Sequence, residues 1–236
     1  MPKIYSGDLT KMFDISGKKA VIIGGAGGFG KAIAEGYAAN GCDILVNAQG
    51  INQKMFSWEI DNDYFEKMLH TNITSMMYTC RYFGNWMKDH NLDEGETAVP
   101  ASEFKAGMPN PNKGYGKIIN FGSVRGIRAV ANGGMGNVPY NTTKGAVEML
   151  TKAFAADLRP NIQVNLIGPT ITYTPMMVGK LPPDEATRNH IADPLPAQRI
   201  GYEIDVVGPA IFLASAASDM VTASSIYPDG GLVATS

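Results

Sequence analysis

The chain has 236 residues, 44% of them hydrophobic and 18% charged, enough apolar material for one sizeable core and too much for a disordered or collagen-like chain. Its 20 basic and 22 acidic side chains give a formal net charge of -2, which excludes the basic footprint selected by a nucleic-acid backbone or an anionic membrane. A small, near-neutral ligand fits this balance, and a single domain over residues 1–236 is the expectation.

From Lys19 the sequence reads KAVIIGGAGGFGKAIAEGYAANG, which predicts a short apolar strand, a tight glycine turn and a helix. CDILVN follows as a second buried strand. DNDYFEKMLHTNITSMMYTCRYFGNWM opens on the cap-like Asp61, Asn62 and Asp63 and carries Tyr64, Phe65, Met68, Leu69, Ile73, Met76 and Met77 at three- and four-residue intervals. That spacing predicts a long, largely buried helix. Residues 88–116 are polar and rich in Pro, Gly and Asn, and read as a surface insertion. KIINFGS is a strand, VPYNTTKGAVEMLTKAFAADL a helix starting near Pro139, IQVNLIG a strand, EIDVVGPAIFLASAAS a helix and SSIYPDGG a last strand ending in a turn. Strands alternating with helices predict a parallel sheet covered on both faces.

The N-terminal MPKIYSGDLTKMFDISGKK lacks an apolar run of signal-peptide length, and no run approaches that of a bilayer span. Cys42 and Cys80 stand far apart without CxxC spacing, so both are expected as reduced, packed thiols. A cytoplasmic protein is the expectation. His70, His90 and His190 show no ligand spacing, and no metal is expected.

Three groups of residues carry chemistry. Gly25, Gly27 and Gly30 match GxGxxG between a strand and a helix, where missing side chains let a pyrophosphate approach the helix N-terminus; the same turn also serves for close packing alone. Tyr140 and Lys144 are four apart on one helical face, so an ammonium can lie beside a phenol that would otherwise titrate near pH 10 and lower its pKa. Ser123 closes the strand KIINFGS, at the end of a parallel strand that faces the usual ligand crevice.

Taken in order, these motifs resemble the short-chain dehydrogenase/reductase family over nearly the whole chain, and within it the members close to gluconate 5-dehydrogenase. The family's TGxxxGxG is matched by IGGAGGFG with Gly24, Gly28 and Gly30, Ile23 standing in place of the threonine. ILVNAQG resembles LVNNAG, retaining Asn47 and Gly50, while Ala48 and Gln49 depart. HTNITS matches the segment holding the family's catalytic asparagine, here Asn72. NFGSVRG, YNTTK and IQVNLIGPTITYTPM match the serine strand, the Tyr/Lys helix and the nicotinamide loop, with Thr170 replacing a common glycine, and IYPDGG matches the last strand.

The resemblance implies a Rossmann-like three-layer α/β/α sandwich with a parallel sheet and an NAD- or NADP-dependent interconversion of a secondary alcohol and a ketone, on sugar acids or polyols. It assigns catalysis to Asn72, Ser123, Tyr140 and Lys144. Tyr140 moves the hydroxyl proton, Ser123 holds the substrate oxygen, Lys144 lowers the Tyr140 pKa and binds nicotinamide ribose, and Asn72 anchors a water in the relay. Cofactor contacts fall to Gly24, Gly28, Phe29, Gly30, Asn47, Gly50, Tyr140, Lys144, Pro169, Ile171 and Thr174. Residues 173–200 become a substrate lid, and the long helix and the Tyr140 helix become the pairing surfaces of a homodimer or homotetramer. Arg125, Arg128 and Lys54 are candidate partners for a substrate carboxylate. The spacing of 17 residues from Ser123 to Tyr140 exceeds the family's habit, and the glycine-rich ANGGMGN is read as an enlarged loop at the mouth of the site.

One junction departs from the family. The helix ending near Asn40 reaches DILVNAQG directly, so the segment for the second and third strands, about 40 residues of strand, helix and strand, is absent. In the family order 3-2-1-4-5-6 that loss trims one edge, leaves 1-4-5-6 contiguous, and removes the adenosine half of the cofactor site. Asp43 begins its strand instead of ending it, so it does not replace the acid that reads the ribose. Joining strand one to strand four reverses the crossover, and right-handedness then predicts the first helix on the face opposite to the family's. The alternative reading is a non-catalytic binding or scaffold member that lost its nucleotide pocket.

Overall fold

The computed structural model describes residues 12–38, 44–53, 55–90, 116–129, 137–160, 162–177, 184 and 191–235. Most of the expected surface insertion, the loop before Asn137, much of the lid, Cys42, Asp43, Lys54 and His190 lie outside the described residues. The sheet is built from β1 (Ala20–Ile23), β2 (Ile44–Asn47), β3 (Gly116–Phe121), β4 (Ile162–Ile167) and β7 (Ser225–Ile226), all parallel and in the order β1-β2-β3-β4-β7. A separate two-stranded ribbon, β5 (Thr172–Tyr173) with β6 (Gly201–Tyr202), was not foreseen.

Each central strand is buried from end to end, as a parallel sheet covered on both faces requires. Alternate side chains divide between two cores. Leu45, Ile118, Val164 and Leu166 meet Met76, Cys80 and Val147 on one face, while Ile44, Val46, Ile119, Phe121 and Ile167 meet Ile33, Val206, Ala210 and Leu213 on the other. The first face is therefore covered by α3 (Ser75–His90) and α4 (Val138–Asp157), and the second by α1 (Gly28–Ala38) and α5 (Val207–Ala214).

The trimmed edge is real in three dimensions: Ala20 to Ile23 pair in register with Ile44 to Asn47, with no strand between them. The expected change of face does not occur. The crossovers β1-α1-β2, β2-α3-β3 and β3-α4-β4 all step the same way across the sheet, yet α1 lies opposite α3 and α4. The first crossover therefore has the opposite hand from the next two, against the usual rule. Packing explains the choice. Ile33 is fully buried against the Ile44 and Val46 side of the sheet, and Phe29 stacks on Phe121 at 5.4 Å between centroids, so α1 shares with α5 the burial of this apolar face.

The long helix expected from Asp61 is present with one interruption. Asp61 caps α2 (Asn62–Leu69) by accepting from the Tyr64 amide at 2.6 Å, and a π turn over His70–Thr74 then leads into α3. It is not largely buried. Met68, Asn72, Met76, Cys80 and Met87 form one buried stripe, while Tyr78, Tyr82 and Trp86 are exposed. A four-residue spacing drifts around a helix of 3.6 residues per turn, and the wider π turn offsets that drift where Asn72 must face inward.

Candidate active site

The carboxyl ends of β2 and β3 bring the catalytic candidates together. α4 starts behind Asn137, with Pro139 in its first turn, where the missing amide costs nothing. That start sets Tyr140 and Lys144 one turn apart. Lys144 is 4% exposed, donates through Nζ to the Phe121 carbonyl at 2.7 Å and lies 5.7 Å from the centre of the Tyr140 ring. Burial lowers its pKa to about 8.

Asn72 sits at the inner face of the π turn and is completely buried. Its Oδ1 accepts from the Ile51 amide at 2.8 Å, and its Nδ2 donates to the Ile51 carbonyl and to Thr143 Oγ1, both at 3.0 Å. It clamps the loop after β2 onto α4. A methyl on Gly50 would lie 3.5 Å from Asn72 Oδ1 and 3.6 Å from Lys144 Nζ, so this backbone runs directly over the pair. Ser123 caps the turn Val124–Gly126 by accepting from the Arg125 amide at 3.2 Å, and its Oγ lies 3.4 Å from the Pro169 carbonyl. Pro169 thereby joins the serine strand to the start of the lid.

Tyr140 feels more than its lysine. Burial raises the phenol's pKa, opposed by a Ser123 hydrogen bond and by the nearby Arg125 guanidinium, while the Lys144 ammonium, bonded to Phe121, stands 5.7 Å from the ring centre. Arg125, read in the sequence as a carboxylate partner, is therefore also an electrostatic neighbour of the phenol. Gly126 permits that closeness, since a methyl there would lie 2.6 Å from the Lys144 carbonyl.

On the glycine side, Gly24 adopts φ +81°, and a methyl on it would meet the Gln49 amide at 2.9 Å. One on Gly30 would collide with the Gly24 carbonyl, and one on Gly28 with Glu203 Oε1, at 3.1 Å from Thr174 Cβ and 2.9 Å from Pro175 Cδ. Thr174 thus faces the glycine turn, and Ile171 holds the lid ribbon by accepting from the Gly201 amide at 3.0 Å. Two side chains expected near the cofactor are engaged within the fold. The Phe29 ring belongs to the core beside Phe121. Asn47 is 0% exposed and spends its side chain on a buried network, donating to Asn120 Oδ1 at 2.9 Å and accepting from Thr79 Oγ1 at 2.7 Å. Cys80, in the same network, has its thiol pushed up to about 12 by burial and is inert.

Sequence reasoning missed Thr143, Asn137 and Glu203. Thr143 was visible inside YNTTK one position before the lysine; Glu203 lies 29 residues past Thr174 and only folding brings it to Gly28.

A cluster of buried Ser123, Lys144 and Asn72 with half-buried Tyr140, at the carboxyl edge of a Rossmann-like sheet and facing a glycine turn, defines a nucleotide-dependent oxidoreductase fold. A family model described as enoyl-(acyl carrier protein) reductase matches residues 100–233, more than half of the chain, including the serine strand, the Tyr/Lys helix and the nicotinamide loop. The chain belongs to the short-chain dehydrogenase/reductase family and is an NAD(P)-dependent oxidoreductase. It is similar to the gluconate 5-dehydrogenase of Gluconobacter oxydans, at 30% identity over 224 residues covering 94% of this chain and 74% of that protein. The 2-dehydro-3-deoxy-D-gluconate 5-dehydrogenase of Dickeya dadantii is 31% identical with the same coverage. Among solved structures, the gluconate 5-dehydrogenase of Burkholderia cenocepacia in complex with NADP and tartrate superposes with a TM-score of 0.76 at 25% identity, covering 96% of this chain and 99% of that one.

The residues present fit the cofactor unevenly along its length. At the nicotinamide end, Lys144 keeps ammonium hydrogens beyond the one given to Phe121, beside a backbone with no side chain at Gly50. At the pyrophosphate end, the glycine turn leads into the α1 N-terminus, whose first amides suit an anion. Glu203 and Pro175 pack against Gly28 on the side where that anion would approach. At the adenosine end β1 is the outermost strand of the sheet.

Proposed function

We propose that the protein interconverts a secondary alcohol and a ketone on a sugar acid or polyol, using NAD or NADP. The observation that carries this reading is the convergence of Ser123, Tyr140, Lys144 and Asn72, from three separate segments, on the carboxyl ends of β2 and β3.

Ser123 turns its hydroxyl hydrogen from the Pro169 carbonyl to form a hydrogen bond to the substrate oxygen, holding it against Tyr140 without giving up the proton. The ionised Tyr140 takes the alcohol proton as the C–H bond breaks, and the phenol returns it in the reverse direction. Ser123 and Arg125 oppose the penalty that burial places on the phenolate. Lys144, charged below about pH 8, holds the nicotinamide ribose. The bound cofactor supplies the hydride acceptor or donor. With its amide wholly engaged by Ile51 and Thr143, Asn72 acts as a positioning residue that keeps the loop after β2 against α4. Arg125 and Arg128 supply the charge complementary to a carboxylate, and the relatives named for gluconate chemistry support that substrate class.

Exposed Tyr78, Tyr82 and Trp86 at four-residue intervals on α3, with Met149 on α4, support a homodimer or homotetramer built on those helices. The unpaired, buried Cys80 agrees with a cytoplasmic setting.

Titration of the purified protein with NADH and NADPH, followed by nicotinamide fluorescence, tests the reading. Micromolar binding, lost in Gly28→Asp, together with turnover in a screen of sugar acids and polyols is the expected result. A folded sample that binds neither cofactor would replace this reading with a non-catalytic member of the family.

A further inference from the structure

Four buried side-chain oxygens have no hydrogen-bond partner among the described residues, and three of them, on Gln49, Asn137 and Asn141, stand at the catalytic end of the sheet. The fourth, on Gln163, is near the amino end of β4. An unpaired buried acceptor is costly, so the open ones on Asn137 and Asn141, at the start of the helix that carries Tyr140, call for an occupant.

Asn137 is the most constrained of the three. It is 6% exposed, sits three residues before Tyr140 and holds φ 62°, the left-handed region that asparagine tolerates better than other side chains. Its Nδ2 donates to Asn52 Oδ1 at 2.9 Å, and its carbonyl receives the Asn141 amide at 3.0 Å. Asn52 follows Ile51, which Asn72 grips on both sides. The pair therefore bridges the loop after β2 to the first turn of α4, the turn that carries Tyr140. Turning the Asn137 amide over exchanges which atom meets Asn52 but still leaves one polar atom open. A hydroxyl both donates and accepts, so it satisfies the open atom in either orientation. A water can stand there in the free enzyme, and a substrate hydroxyl displaces it.

We propose that Asn137, held by Asn52 and flanked by Asn141, binds a substrate hydroxyl neighbouring the reacting carbinol and so selects polyhydroxylated substrates over simple alcohols. The inference deepens the function proposed above and rests on it. A site built to bond a hydroxyl rejects the analogue that lacks one, because its own buried amide is then left unpaired.

The test uses the full chain with NADP, D-gluconate as the polyhydroxylated probe and cyclohexanol as the secondary alcohol without neighbouring hydroxyls. Asn137→Gly removes the amide while accepting the same φ; Asn52→Ala removes the holder. For Asn137→Gly, the expected result is a calorimetric Kd for D-gluconate at least tenfold weaker and a ratio of kcat/KM for D-gluconate over cyclohexanol at least tenfold lower, with a smaller loss for Asn52→Ala. If Asn137→Gly does not fold, Asn137→Asp keeps the shape and replaces the amide with a carboxylate, and the same weakening is expected. An unchanged Kd and ratio overturn the proposal, as does a wild-type protein that does not bind D-gluconate at millimolar concentration. Wild-type binding of D-gluconate lost in Asn137→Gly, without hydride transfer to NADP, would sink the enzyme reading and leave the subsite standing.

Discussion

β3 and β1 both carry a half of the candidate site at their carboxyl ends, but their surroundings differ. β3 has six residues, all buried, with β2 and β4 hydrogen-bonded on either side and helices over both faces. β1 has four residues and one neighbour, and its Val21 is 40% exposed. The Ser/Tyr/Lys cluster thus rests on structure that packing overdetermines, while the glycine turn hangs from an edge with few contacts to hold it. Among the described residues no strand flanks β1 on its outer side, where the adenosine end of a cofactor would lie, while the strands under the Ser/Tyr/Lys cluster are in place.

Substitutions on the two sides should separate these halves. The largest effect belongs to the β3 side: Tyr140→Phe should lower turnover by about 10²–10⁴-fold, the share a general acid/base supplies, while fluorescence titration still finds NADPH bound. Loss of binding in that variant would mean that Tyr140 is structural. Next, on the β1 side, Gly30→Ala drives a methyl into the Gly24 carbonyl, with Gly24 and Gly25 backbone atoms at 2.8 Å. It should cost about 1–3 kcal/mol in a denaturant melt and abolish cofactor binding. Gly208→Ala is the control: it meets nothing within 4 Å on α5, and should stabilise by about 0.5–1 kcal/mol.

Lys144 gives a pH test. Its pKa is lowered from 10.5 to about 8 in the fold, so between about pH 8 and 10.5 the unfolded chain holds a proton that the folded chain has lost. Stability contributed by this site therefore rises with pH across that window, whereas cofactor affinity, which needs the ammonium, should fall above about pH 8. Melts and fluorescence titrations from pH 7 to 10 should move in opposite directions, and Lys144→Met should remove both trends. The smallest expected effect concerns the glycine seat. Glu203→Gln removes a negative charge from beside the α1 N-terminus, where a pyrophosphate must also lie. NADPH should bind about threefold tighter, most visibly at low salt; unchanged affinity would mean that Glu203 swings clear without cost.

The site was legible to different depths. Tyr140, Lys144, Ser123 and Asn72 were all identified in the sequence and all meet, because each is fixed by the local geometry of its own element: a helical four-residue step, a strand end, a helix interior. Their partners were less legible. Lys144 bonds the Phe121 carbonyl while standing over the Tyr140 ring, Asn72 is occupied by Ile51 and Thr143, and Asn47 proved to be a core residue. Arg125 reached Tyr140 because Gly126 lets its turn press on α4.

By itself the sequence determined the alternation of strands and helices, the parallel sheet, the missing edge and the four catalytic candidates. All of these follow from periodicity, turn chemistry and motif order, which are short-range properties of the chain. Only the tertiary structure decided that α1 lies beside α5 at the expense of the usual hand, that a π turn aims Asn72 inward, that Glu203 occupies the seat at Gly28, and that Asn137 keeps an open amide over the site. Those outcomes depend on which apolar faces remain to be covered and which polar groups are then buried beside one another. Such a balance belongs to segments far apart in the chain, so it is settled only when they pack.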